Sequence, residues 1–107
     1  MKQRDILTSD NEDPSGDSGF FKLRLFVTGA SPNSARAIAN LKGICEKYLT
    51  KKYKLEIIDV YQQPLKAQNE QVIALPMLVK ISPLPLKRMI GDMSDTSKVL
   101  KGLGLNM

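Results

Sequence analysis

Few side chains in this sequence could take part in covalent chemistry. Cys45 is the one cysteine and there is no histidine, so the commonest general base and metal ligand is missing. Cys45 falls on the apolar side of a predicted helix, where a thiol acts as a small hydrophobic group. Asp59 and Asp92 fall at a strand end and in a turn, and nothing in the sequence pairs them. We therefore expect no catalytic residue, no metal site and no cofactor.

One pattern is nevertheless typical of thiol–disulfide enzymes. Residues 22–28 predict a strand, a loop over 29–34 leads into a helix, and Pro76 directly precedes another strand. In thioredoxin-like folds a cis proline at this place faces a loop that carries Cys-x-x-Cys. The loop here has no cysteine, so it lacks the reactive thiolate and the resolving thiol. The scaffold is predicted to bind rather than to catalyse, and a thioredoxin-family oxidoreductase is the alternative.

Apolar spacing outlines the first elements of a single α/β domain. Residues 22–28 alternate apolar and other side chains, as a strand does. Ser31 and Pro32 suit the start of a helix over roughly 33–50. Apolar residues of both parities over 55–61 predict a strand covered on both sides. Together these lengths predict a βαβ unit.

Pattern alone does not settle the second half of the chain. Residues 65–75 are weakly helical, while 77–81 and 86–90 can pair as a hairpin or belong to other elements. Ser94 is suited to cap a short last helix, which Gly102 weakens near its end.

Charge is distributed unevenly. Residues 1–18 hold two basic and five acidic side chains, a net charge of −3, whereas residues 19–107 hold 14 basic and six acidic, a net charge of +8. The first segment has almost no apolar surface to bury, so we predict a disordered acidic tail over 1–19 and a folded domain over 20–107. A domain this basic favours an anionic partner.

Composition limits the cellular compartment and the class of binding partner that we expect. The sequence has no apolar run long enough to span a membrane and no secretory signal pattern, and a single cysteine suits a reducing, cytoplasmic compartment. Aromatic residues make up only 6% of the chain and form no RNA-binding motif. The composition therefore argues against a basic nucleic-acid-binding module, which stays open as an alternative on charge alone.

Four blocks of the sequence together carry a family resemblance. They are Leu25–Ala37, Ile58–Val60, Ala74–Lys80 and Pro83–Asp92. In this order and spacing they resemble the KaiB family of small cyanobacterial clock proteins, over roughly residues 20–104. The resemblance implies a thioredoxin-like domain with two alternative folds: a resting βαββααβ fold, usually in a homotetramer (or dimer), and a βαβαββα monomer. The first half would be common to both folds, and the second half would re-form.

The same resemblance implies a function. It implies a non-catalytic, fold-switching adaptor without cofactors that binds and regulates a hexameric KaiC-type ATPase, in a clock or in stress and signalling. A KaiA-like protein, or a histidine kinase with a KaiB-like sensor domain, would be a further partner. The implied partner-binding residues are Arg36, Lys54, Leu55, Lys80, Lys87 and Arg88.

A second set of residues is implied in the change of fold. The set consists of Pro76, Pro83, Pro85, Gly91, Asp92 and Gly102. We hypothesise that the proline isomers differ between the two folds, the alternative being that these prolines only form turns. Gly102→Ala should favour the last helix, and with it the monomer, and so speed complex formation.

Several features depart from the family pattern. Pro83-Leu84-Pro85 stands where the family usually has three prolines in a row, and Gly104 stands where an Asp is usual. Glu56 stands where clock members commonly place a lysine, which reverses a charge near the partner-binding face. An acidic N-terminal segment is present in place of the acidic C-terminal tail of the cyanobacterial members.

Overall fold

The computed structural model describes residues 20–29, 31–72 and 74–105, so the predicted tail over 1–19 lies outside the described residues. The elements in chain order are β1 (Phe21–Val27), α1 (Pro32–Tyr48), β2 (Tyr53–Asp59), α2 (Pro64–Asn69), β3 (Met77–Ser82), β4 (Lys87–Ile90) and α3 (Thr96–Leu103). This βαβαββα order is the thioredoxin-like one of the two arrangements that the resemblance implies.

The strand β1 lies inside a four-stranded sheet of order β2-β1-β3-β4. It runs parallel to β2 and antiparallel to β3, and β4 runs antiparallel to β3. Phe21, Leu23 and Leu25 of β1 are buried on one face of the sheet, whereas Lys22 is exposed and Arg24 is half-buried on the other. The alternation of β1 therefore separates a fully apolar face from a partly charged one.

Each face of the sheet has its own apolar cluster. The larger cluster joins β1 to α1 and α3 through buried residues such as Leu25, Leu41 and Leu103. The smaller cluster consists of Phe26, Ile58, Met77 and Val79, and Ala67 of α2 packs against it. Since α2 has only six residues, it covers one end of this second face and leaves the other end open.

Local sequence explains where the helices begin. The Ser31 hydroxyl oxygen accepts a hydrogen bond from the Ser34 backbone N–H at 3.1 Å, and Pro32 occupies the first turn, which confirms the predicted start of α1. The sequence suggested Ser94 as the cap of α3, and this prediction was wrong. Asp95 takes that place because its carboxylate accepts from the Lys98 N–H at 3.1 Å.

Strand and hairpin boundaries differ slightly from the sequence expectation. β2 spans Tyr53–Asp59 rather than 55–61, because Tyr53 and Lys54 pair in register with the first residues of β1. Of the arrangements that the sequence pattern left open for 77–81 and 86–90, the hairpin is present: β3 and β4 pair over Met77–Lys80 and Lys87–Ile90.

Gly102 lies where α3 packs against β4. A Cβ atom added to Gly102 would overlap the Met89 sulfur and stand 2.8 Å from its terminal methyl carbon. Met89 is buried, but its side chain is flexible and it borders a cavity of about 190 Å³ next to Met93 and Val99. Any helix stability gained by Gly102→Ala therefore requires the Met89 side chain to move.

We expect the effect of Gly102→Ala to depend on Met89. In the wild-type background the substitution should stabilise this fold by less than the about 1 kcal/mol that helix propensity provides. In a Met89→Ala background, which removes the obstruction, it should gain that amount in full. A double-mutant cycle of chemical denaturation measures the coupling between the two positions.

Gly43 supplies the matched control for this cycle. It lies within α1, and a Cβ atom there would meet nothing within 4 Å. Gly43→Ala should gain helix stability equally in both Met89 backgrounds. Additive effects of Gly102→Ala and Met89→Ala would contradict the close approach of α3 to β4.

Candidate partner-binding surface

The loop between β1 and α1 carries hydroxyl groups where a thiol–disulfide enzyme carries cysteines. The Ser31 hydroxyl donates to Ser34 Oγ (2.8 Å), and the Thr28 hydroxyl donates to Ser31 Oγ (3.2 Å). Ser34 is buried, and its Oγ also accepts from the Thr28 backbone N–H at 3.0 Å. Together with Thr28 and Ser31, Leu75 and Pro76 line an open groove of about 450 Å³. The site thus keeps the spacing of Cys-x-x-Cys but holds serines.

These hydroxyls stabilise the start of α1 and do not form a nucleophile. A serine attacks a substrate only with an adjacent base, and each hydroxyl here is hydrogen-bonded to another hydroxyl or to a backbone N–H. The sequence has no histidine. Across 20–29, 31–72 and 74–105, no three Cys, Asp or Glu side chains come together in a way that could hold a metal ion.

Cys45 lies in the core and is not part of this loop. Its side chain is fully buried in the larger apolar cluster. Burial, and to a smaller extent the Glu46 carboxylate, raises the pKa of the Cys45 thiol to about 11. Because the thiolate is the reactive form, this thiol is inert at neutral pH.

The open end of the second sheet face carries cationic side chains, which we call the basic face. It consists of Lys22, Arg24, Lys54, Lys66 and Arg88. Lys22 pairs in register with Lys54 on the neighbouring strand, and Val79 stands between Arg24 and Arg88. Lys22, Lys54 and Arg88 are exposed. A cavity of about 160 Å³ opens beside Lys22, Arg24 and Lys54.

Two carboxylates tie part of the basic face together. Arg24 Nε donates to Glu56 Oε1 at 3.0 Å, and Arg24 Nη1 donates to Glu70 Oε2 at 3.1 Å. Lys66 Nζ lies 2.6 Å from Glu56 Oε2. A hydrogen bond from Lys66, with smaller contributions from Arg24, lowers the pKa of Glu56 although partial burial opposes the shift. These ion pairs join β1, β2 and α2.

Some of the predicted partner-binding residues come together on this surface. Lys54 and Arg88 both belong to the basic face, and neither forms an ion pair with any other described residue. Leu55 does not belong to it. Its half-buried side chain packs against the larger cluster on the opposite face.

The other predicted basic residues lie elsewhere. Lys80 was expected at the surface from sequence, but it is only 3% exposed. It pairs in register with Leu23 and therefore lies on the sheet face that the larger apolar cluster covers. Burial, and then Lys87 opposite it on β4, lower the pKa of Lys80. A Cβ atom at Gly104, the C-cap of α3, would lie 3.8 Å from Lys80 Nζ, which places the ammonium group near the negative end of that helix.

Arg36 stands apart from the basic face, at the first turns of α1. Its Nε lies 3.5 Å from the Asp92 carboxylate, and its guanidinium also donates to the Asn33 side chain. The Asp92 carbonyl accepts from the Asn40 side chain at 2.9 Å. Arg36 therefore connects α1 to the loop that follows β4.

Comparisons with known proteins establish the family. A family model for the KaiB domain matches residues 24–105. The circadian clock protein KaiB3 of Synechocystis is 51% identical over 83 residues, which cover 78% of this chain and 81% of that protein. The chain belongs to the KaiB family. The circadian clock oscillator protein KaiB of Synechococcus elongatus is 47% identical over the same shares of the two chains.

Solved structures agree with the thioredoxin-like arrangement of this KaiB-family chain. The N-terminal domain of Synechococcus elongatus SasA is 26% identical, with a TM-score of 0.62 over 79% of this chain and 84% of that one. The thioredoxin Deadhead of Drosophila melanogaster has a TM-score of 0.65 over 82% and 81%, but at 18% identity it shares the fold alone. The loop after β1 holds Ser31 and Ser34, so it supplies neither the reactive nor the resolving thiol of a thiol–disulfide enzyme.

The residues implied in the KaiB change of fold lie in the second half of the chain. Cis peptide bonds precede Pro76, Pro83 and Pro85. Gly91 has a φ of 127°, which favours glycine, and its N–H donates to the Pro76 carbonyl at 3.0 Å. Asp92 follows it and accepts from the Ser94 N–H at 3.0 Å.

Three members of the basic face were missed in the sequence analysis of this KaiB-family chain. Lys22 and Arg24 alternate with Leu23 and Leu25, so the period of β1 places them on the face opposite the core. That signal was present but was used only to predict the strand. Lys66 carried no such signal, since its pairing with Glu56 depends on how α2 folds back over the sheet.

No helix of the described ranges is long and apolar enough to cross a membrane.

We expect Cys45 to stay unreacted with Ellman's reagent at pH 7 in the native protein. With a pKa of about 11, only about one thiol in 10⁴ is ionised at that pH. The thiol should become titratable in denaturant. A Ser31→Cys variant is the matched control, because its added thiol would lie at the start of α1, where thiolates are stabilised. Fast reaction of native wild-type protein would contradict the buried position of Cys45.

A second prediction concerns acid stability. The folded-state pKa of Glu56 lies below its ordinary value of 4.5, so its ionised form stabilises the fold above that value. The contribution is lost as pH falls through the folded-state pKa. The stability difference between wild type and Glu56→Gln should be about 1 kcal/mol at most, because the pair is partly exposed, and it should shrink below pH 4.5.

Lys66→Met tests the cause of this shift. The variant removes the strongest hydrogen bond to Glu56, so the acid-induced loss should begin at higher pH than in wild type. Unfolding free energies from pH 3 to 7 measure both effects. A Glu56→Gln difference that is constant across this range would contradict the ion-pair network.

Proposed function

We propose that this KaiB-family chain is a non-catalytic adaptor that binds a hexameric KaiC-type ATPase through its thioredoxin-like fold. The observation that carries the proposal is the basic face, a cationic surface on a fold whose cysteine positions hold serines. Lys22, Lys54 and Arg88 on this face are exposed and suit an acidic surface of a partner protein. Membership of the KaiB family supplies the class of partner.

We further propose that the second half of the chain re-forms between two folds. The helix α2 supports this because it is weakly held: it has six residues, no side-chain cap and no buried residue. In contrast, α1 has 17 residues, a serine cap and five buried residues. Selection of the βαβαββα form by the ATPase would make complex formation depend on the population of that form. The resting form would be a cytoplasmic homotetramer or dimer.

A KaiA-like protein or a histidine kinase is the further partner that we propose. The likeness to the N-terminal domain of SasA supports competition between domains of one fold for one docking site.

Charge reversal on the basic face tests the docking surface. Lys54→Glu and Arg88→Glu should each weaken binding to the hexamer by about tenfold, or about 1.4 kcal/mol, at low ionic strength. The loss should shrink in high salt, where charges are screened. Binding is measured by interferometry on immobilised KaiC-type hexamer with and without ATP.

Lys42→Glu is the control, because Lys42 is exposed on α1, on the other side of the sheet. It should bind as wild type does. Equal losses for all three variants would show that net charge matters and not this surface. Binding to duplex DNA of the same affinity as to the hexamer would favour the nucleic-acid alternative.

A further inference from the structure

The basic face has an excess of positive charge that its own carboxylates do not neutralise. Five cationic residues share it with two carboxylates, Glu56 and Glu70, so the excess is five minus two, or +3. Glu56 pairs with Arg24 and Lys66, and Glu70 pairs with Arg24, all at the α2 end. The excess is therefore concentrated on Lys22, Lys54 and Arg88.

A segment of opposite charge is part of the same chain. Residues 1–18 carry two basic and five acidic side chains, a net charge of −3. Four of the carboxylates fall within residues 10–17: Asp10, Glu12, Asp13 and Asp17. This segment contains no basic residue, and Lys2 and Arg4 lie well before it. Residues 10–17 therefore carry a net charge of −4, opposite in sign to the +3 excess of the basic face.

The point of attachment brings this segment to the basic face. It joins the fold at Phe20, two residues before Lys22, and β1 lies inside the sheet. An extended chain spans up to about 3.5 Å per residue, so Asp17 reaches about 10 Å from Phe20 and Asp10 about 35 Å. Four strands span only about 15 Å. The acidic segment is thus long enough to reach both Lys54 on β2 and Arg88 on β4.

We propose that residues 10–17 dock in cis on the basic face and act as an intramolecular anionic ligand. Single surface ion pairs are weak, but a short tether gives the segment an effective concentration in the millimolar range. Several weak pairs then suffice for substantial occupancy. Such a ligand is displaced by salt or by a partner that binds the same face more strongly.

Docking in cis would make the segment a competitor of any acidic partner. This consequence rests on the proposed function, because it assumes that the ATPase binds the basic face. Neutralising the segment should then strengthen binding to the hexamer several-fold, and the gain should vanish when Lys54→Glu and Arg88→Glu are added.

Paramagnetic relaxation in the full-length chain tests the docking itself. A nitroxide label is attached at Ser15→Cys, and native Cys45 stays unlabelled because it is buried; wild type treated with the same reagent verifies this. We expect the amide signals of Lys54 and Arg88 to lose at least half of their intensity relative to the reduced label. Lys42 and Lys101, exposed on α1 and α3, should lose much less. Lys22 and Arg24 are not used, because they lie close to the label in sequence.

A matched variant separates docking from simple tethering. It carries Asp10→Asn, Glu12→Gln, Asp13→Asn and Asp17→Asn with the label at the same position. In this variant, and in 1 M NaCl, where the Debye length is about 3 Å, the loss at Arg88 should fall to that of Lys42. The loss at Lys54 should also decrease, although Lys54 pairs with Lys22 near the point of attachment. Equal losses in the charged and neutralised chains would overturn the proposal.

A mixed sample tests for docking between copies. Isotope-enriched protein without the nitroxide is combined with protein of natural isotope abundance that carries the nitroxide at Ser15→Cys. Losses at Lys54 in the mixture, as large as those within one chain, would assign the segment to a second copy and overturn docking in cis. Failure of the hexamer to bind any variant would overturn the proposed function alone, since the relaxation measurement needs no partner.

Discussion

The position of β1 inside the sheet is the constraint on which the rest of the structure depends. A strand with a neighbour on each side has both faces available for burial, and the side chains of β1 divide these faces unequally. Phe21, Leu23, Leu25 and Val27 form one continuous apolar face, which requires the long cover of α1. On the other face only Phe26 is apolar, and the short α2 suffices to cover that end. Lys22 and Arg24 keep the remaining part open.

The same constraint explains why the thioredoxin-like geometry persists without its chemistry. The loop after β1 must turn the chain sharply into α1, and a side chain at its start must accept the first free N–H groups of the helix. Ser31 does this directly, and the buried Ser34 holds the end of β1 through the Thr28 N–H. Serines perform both tasks as hydrogen-bonding groups, so the loop keeps its shape with no thiol present.

Elements and caps that depend on local sequence pattern were predicted from the sequence. Burial and contacts that depend on how distant elements pack were not. β1, α1 and the Ser31 cap follow from alternation and from a single serine–proline pair, and these predictions were confirmed. Lys80 was expected at the surface because lysine usually lies there, yet its side chain is enclosed between β1, β4 and the end of α3. The approach of Gly102 to Met89 likewise joins elements that no sequence period connects.

The basic face also indicates why a partner would favour one fold over another. Lys22, Arg24 and Lys54 belong to β1 and β2, the half that the KaiB resemblance assigns to both folds. Lys66 and Arg88 belong to α2 and β4, and they reach the same face only because α2 folds back on Glu56 and β4 pairs with β3. A ligand shifts a conformational equilibrium only by its difference in affinity for the two states. On the proposed function, an acidic partner that contacts both groups of cations would have such a difference, because Lys66 and Arg88 belong to elements that would re-form in the other fold.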